Sequence, residues 1–143
     1  MKMKAAAKML AVLSGVMLCA SLAKAAPPSP AAKCIDMPPG TIPALGTLCT
    51  DTEISTVGAI PPNDFKKQQD KDGLVGKVVA ASFKMAQGKP CDAYQKLRDY
   101  ETSLVLLMLT ADSQKAKISE SKGDQLHIDL NAAQAAIGPM ACP

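Results

Sequence analysis

The sequence predicts an all-α protein, a three-helix up-down-up bundle preceded by a Pro-rich irregular arm and secured by two disulfides. Three observations lead there. After Asp72, apolar residues recur at helical spacing in three successive stretches. Before it, prolines punctuate the chain densely. Four widely spaced cysteines remain once an N-terminal leader is set aside.

The leader occupies residues 1–25. Lys2, Lys4 and Lys8 form a positive start, Met9 to Leu22 is apolar, and Ala23-Lys24-Ala25 is a small-residue cleavage site. Pro27 and Pro28 follow and stop any helix there. A spanning helix needs roughly 20 apolar residues, which this run does not reach. Leu18, ahead of Cys19, stands where a lipoprotein signal carries a small residue. The expectation is cleavage near Ala25 and a periplasmic or secreted product.

Cleavage changes the charge. The full chain has 16 Lys+Arg against 13 Asp+Glu. Lys2, Lys4, Lys8 and Lys24 leave with the leader, so 12 basic residues face 13 acidic ones in what remains. No clustered basic face is left for nucleic acid. Aromatic residues make up 3% of the chain, with no Trp, which removes the stacking platforms that sugar and single-strand binders use. No later stretch is long and apolar enough for a stable membrane span.

Residues 26–70 form the arm. Pro27, Pro28, Pro30, Pro38, Pro39, Pro43, Pro61 and Pro62 argue against a regular helix, with at most a short strand between Glu53 and Ile60. Residues 71–143 form the bundle. Its first helix carries Leu74, Val78, Ala81 and Met85, with Val75, Val79 and Ala86 beside them, and Gly88 stops it. Pro90 starts the second, which runs from about Cys91 to Thr110 with Ala93, Leu97, Tyr100, Leu104, Leu107 and Ala111 inward. Asp92 in its first turn complements the helix dipole. Asp112 to Lys122 reads as a loop. The third helix starts around Asp124, carries Leu126, Leu130, Ala133 and Ile137, and ends at Gly138-Pro139.

Cys34, Cys49, Cys91 and Cys142 form a disulfide framework rather than a metal site, because close ligand pairs are missing and His127 is the sole histidine. Three pairings are possible. In an up-down-up bundle, the start of the second helix and the end of the third share one end. That favours Cys91–Cys142, closing a loop worth about 4 kcal/mol, and leaves Cys34–Cys49, worth about 3 kcal/mol.

Leu74, Lys77-Val78, Ala81, Met85, Gly88-Lys89, Ala93, Leu97, Tyr100 and Leu104, continued by Lys117-Ile118, Gly123, Leu126 and Ile137, resemble the FIMAH-type small helical domain of secreted bacterial proteins. The resemblance covers residues 74–137 at the level of fold. It implies a non-catalytic accessory or interaction module, with no catalytic residues to carry over. The Cys91/Cys142 pair and the arm are additions to that pattern.

Candidate chemistry is thin. His127 and Asp129 are two apart on a helix and point in different directions, while Asp124 reads as a helix cap. Asp92, Asp99 and Glu101, among Lys96 and Arg98, read as a solvated charged face. There is no G-x-S-x-G elbow, no phosphate-cradling glycine loop and no C-x-x-C. The expectation is no enzyme, with no catalytic, cofactor or metal residues.

Leu104 to Leu109 is the most hydrophobic stretch, and its residues surround the helix on nearly all sides. Either the arm covers the excess, or Val105, Leu106, Met108 and Leu109 form a contact surface. The reading that follows is an exported helical interaction protein with an extracytoplasmic protein partner. The alternative is a periplasmic carrier for a small apolar ligand.

Overall fold

The computed structural model describes residues 32–58, 60, 63–109, 116–138 and 142. The leader with its cut near Ala25, Pro27, Pro28, Pro30, Ala111 and the loop segment from Asp112 to Lys115 lie outside the described residues, as does Pro139.

The described chain is all-helical. A single 3₁₀ turn, Cys34–Asp36, precedes four helices: α1 (Pro43–Glu53), α2 (Gln68–Ala86), α3 (Pro90–Met108) and α4 (Glu120–Ile137). The expected arm is therefore partly helical. Pro43 sits at the first helical position, where a missing N–H costs nothing, and no proline follows until Pro61. Between them Leu45, Leu48, Cys49 and Thr52 fall on one face and are all buried. Proline density argued against a helix here; proline position permits one.

Two other boundaries differ from the sequence expectation. α2 begins at Gln68, inside the span assigned to the arm. α4 begins at Glu120, so the end of the expected loop is helical and Asp124 lies exposed within the helix rather than capping it. The residue ahead of α4 is Ser119, whose hydroxyl turns to Asp64 Oδ1 at 3.4 Å and leaves the helix end uncapped by side chains.

The α2–α3 turn is made by sequence-local chemistry. Gly88 takes φ +68°, the left-handed conformation that glycine adopts without strain. Lys89 N–H donates to the Lys84 carbonyl at 3.0 Å and Gly88 N–H to the Met85 carbonyl at 2.9 Å, closing a Schellman motif. Pro90 then starts α3 at once.

α2 packs on α3, α3 on α4, α4 on α1 and α1 on α2, so the four helices form a closed ring around one core. Leu45 and Leu48 from α1, Leu74 and Val78 from α2, Leu97 and Leu104 from α3, and Leu126 and Leu130 from α4 meet inside it. The inward residues expected for the last three helices are buried, except that Met85 and Ile137 are partly covered and Ala86 is exposed.

Two connecting segments cross at Phe65. It bridges Val57 in parallel and Ile118 antiparallel, so the strand expected between Glu53 and Ile60 amounts to a single-residue bridge. Phe65 N–H donates to the Thr56 carbonyl at 2.8 Å, Gly58 N–H donates to the Phe65 carbonyl, and Ser119 N–H donates to the Asp64 carbonyl at 2.9 Å. Phe65 and Ile118 are both buried in the core.

Both disulfides join the expected partners. Cys34–Cys49 ties the 3₁₀ turn to α1, and Cys91–Cys142 ties the start of α3 to the segment after α4. Among the described residues no helix is long and apolar enough to cross a membrane.

Phe65→Ala empties the point where both connections meet. It should cost about 3–5 kcal/mol, the range for a buried Phe truncated to Ala. Urea unfolding of the disulfide-intact protein measures this. A loss below about 1 kcal/mol would show that the site collapses around the gap instead of depending on the ring.

Candidate functional site

α3 touches α2 on one side and α4 on the other, and among the described residues no other helix packs along its outward side. A six-residue apolar run on such a helix must present some of its side chains to solvent. Leu104 and Leu107 face the core. Leu106 is 66% exposed and Leu109 71% exposed, while Val105 and Met108 are half-buried. Among the described residues of the arm, α1 packs on α2 and α4 rather than over this end of α3. The segment before Ile118 reaches this end of α3 instead, where Lys117 N–H donates to the Leu107 carbonyl at 3.1 Å.

Of the four expected contact residues, Leu106 and Leu109 stand outward, and Met108 serves a second purpose. It bridges to α4, where a methyl group added to Gly123 would stand 2.7 Å from its Sδ and Cε. Gly123 is buried, so its lack of a side chain lets α3 and α4 approach. No sequence pattern signals this pairing, because it joins residues on two different helices. Ile35, Ile54 and Ile128 are also exposed and were not singled out by sequence.

The acidic candidates on α3 disperse into local pairs. Asp92 meets Lys84 of α2 at 3.1 Å, and Asp99 meets Lys96 at 3.3 Å. Glu101 accepts from Gln134 Nε2 of α4 at 3.2 Å. Each pair is largely solvated and contributes little. His127 is half-buried on α4, and Asp129 turns away from it to accept from Gln125 Nε2 at 3.2 Å. Among the described residues, no group of three or more His, Cys, Asp or Glu is placed to hold a metal ion.

Sequence reasoning missed a buried polar cluster between α1, α3 and α4. Thr52 Oγ1 donates to the Leu48 carbonyl at 2.7 Å. Its single proton is thereby used, so the 2.8 Å contact with Tyr100 has the Tyr100 hydroxyl donating to Thr52. Burial pushes the Tyr100 hydroxyl well above its ordinary ionisation range. The nearby Asp129 and Asp51 add to this shift. Asp129 is itself raised, first by burial and then by the Asp51 side chain beside it, with Gln125 and Lys122 pulling the other way.

The chain matches no protein-family model, none of the curated proteins and none of the solved structures compared with it.

Tyr100 is held neutral in the fold, so the folded state keeps a proton that the unfolded chain releases above the ordinary value of 10.0. Stability must then fall as pH rises past that point. Tyr100→Phe should cost about 0.5–1.5 kcal/mol at neutral pH through the lost hydrogen bond. The same variant should flatten the alkaline decline. Melting temperatures of both proteins from pH 7 to 11 check this, and parallel curves would contradict it.

Proposed function

We propose that this chain is an exported, non-catalytic helical interaction protein that docks onto another extracytoplasmic protein through the outward side of α3. The observation that carries the reading is the exposure of Leu106 and Leu109 on a helix whose other sides are packed. Apolar side chains standing together in water are the anchors that protein partners bury. Val105 and Met108 flank them and extend the same surface.

Two further observations support export. Two disulfides suit an oxidising compartment, where such bonds persist. The positive start, apolar run and Ala23-Lys24-Ala25 site favour a cleaved leader. The FIMAH-type resemblance over residues 74–137 belongs to the same proposal, since it implies an accessory module and brings no catalytic residues. The His127 neighbourhood and the paired carboxylates of α3 offer no nucleophile with an adjacent base.

The test is capture of partners from an extracytoplasmic extract by the mature protein, compared with Leu106→Asp. Position 106 is exposed, so the fold tolerates the substitution and circular dichroism should be unchanged. A charge at an anchor costs more than about 1.4 kcal/mol, which lowers affinity at least tenfold. An unchanged partner set would remove this surface from the proposal. Mass spectrometry of the exported protein should find an N-terminus at Ala26.

A further inference from the structure

The two disulfides sit in different surroundings. Cys49 is fully buried in the core, and Cys34 packs against that core with its N–H held by Glu53 Oε2 at 2.9 Å. Cys91 and Cys142 are both half-buried, and neither belongs to the core cluster. The helices they tie are held together without them. Leu97 and Leu104 of α3 meet Leu126 and Leu130 of α4 inside the ring, and Met108 fills the space beside Gly123. Opening this bridge therefore leaves the ring closed.

Thiol–disulfide exchange needs a thiolate to reach one sulfur while the other leaves as a thiolate. At Cys34–Cys49 both routes are obstructed. Attack on Cys49 has to enter the core, and attack on Cys34 expels a Cys49 thiolate into apolar surroundings that disfavour it. At Cys91–Cys142 one route is open. Cys91 is the second residue of α3, where the first-turn amides and the helix dipole favour a negative sulfur. Asp92 beside it opposes this, but its carboxylate is paired with Lys84 at 3.1 Å. Cys142 Sγ instead lies 3.5 Å from the Cys91 carbonyl oxygen, which disfavours a thiolate there. Gln95 Nε2 approaches the same sulfur at 3.9 Å, a long contact from a neutral group that does not reverse the order. Cys91 is thus the better leaving group, and Cys142 is the sulfur to be attacked.

We propose that Cys91–Cys142 is an exchange site for an external thiol, which attaches to Cys142 while Cys91 is released as the resolving group. The incoming thiolate forms a new S–S bond to Cys142 Sγ, the Cys91–Cys142 bond breaks, and its electron pair stays on Cys91. Return attack by Cys91 expels the thiol and restores the bridge, so no net oxidant or reductant is consumed. The site lies about 22 Å along α3 from Leu106, so it stands or fails independently of the docking surface.

The experiment uses the full disulfide-bonded chain, with Cys34–Cys49 as an internal reference, so no variant has to fold. Reduced glutathione is added under native conditions, free thiols are blocked with iodoacetamide at intervals, and the peptides are mapped. Glutathione should appear on Cys142 with Cys91 alkylated, and this bridge should open at least about tenfold faster than Cys34–Cys49. The helical circular dichroism signal should persist while only this bridge is open. Equal opening rates, glutathione on Cys91, or loss of the helical signal in step with opening would each overturn the site. A second arm replaces glutathione with an extracytoplasmic extract. A small added mass on Cys142 identifies a low-molecular-weight thiol as the natural ligand, and a slower band on a non-reducing gel that yields the Cys142 peptide identifies a protein cysteine. A bridge left closed by the extract overturns the proposal.

Discussion

The burial of α1 between α2 and α4 is the constraint on which the rest of the molecule depends. α2 and α4 do not lie side by side, so without α1 one side of the core would lie open to water. Leu45 and Leu48 close that side with full burial. Each such side chain contributes about 1.5–3 kcal/mol by leaving solvent. The Cys34–Cys49 bond ties the helix to the 3₁₀ turn, and Thr52 joins it to Tyr100 across the interior.

The same ring decides which surfaces stay free. Every helix has two neighbours, so each keeps an outward strip. On α2 and α4 that strip mixes polar and small residues with one large apolar side chain each, Phe83 and Ile128. At the end of α3 the sequence places Leu106 and Leu109 there, and none of the described helices covers them. Leu104 and Leu107 are spent on the core, and Leu106 and Leu109 are left over. The surplus follows from the arithmetic of a 3.6-residue turn against two neighbours.

Periodicity made α2, α3 and α4 legible, because their inward residues are Leu, Val, Ala and Tyr at regular intervals. The disulfide pairing was legible for a related reason: once helices alternate, the start of α3 and the end of α4 must meet. α1 was not legible, since its inward stripe includes a cysteine and a threonine amid prolines that signal irregular chain. Pro43 carries the opposite meaning at a helix start. Of the contact surface, Leu106 and Leu109 could be read from the run itself. The role of Met108 could not, because it depends on Gly123 in another helix. Asp129 was hidden for a different reason. A carboxylate reads as surface in any pattern of polar and apolar residues, and only the packed helix shows Asp129 turned inward with Gln125 Nε2 donating to it.

The two covalent loops lie one after the other along the chain, spanning 34–49 and 91–142, and neither encloses the other. Assembly can therefore proceed in strict order as the polypeptide emerges. The early loop closes as soon as its second sulfur is available, before the thiols of Cys91 and Cys142 have appeared. The late loop must wait for the remainder, several seconds at roughly 5–20 residues per second. Mispaired intermediates then have a short window in which to arise, and a chain of this design has little need of an isomerase to sort its bonds.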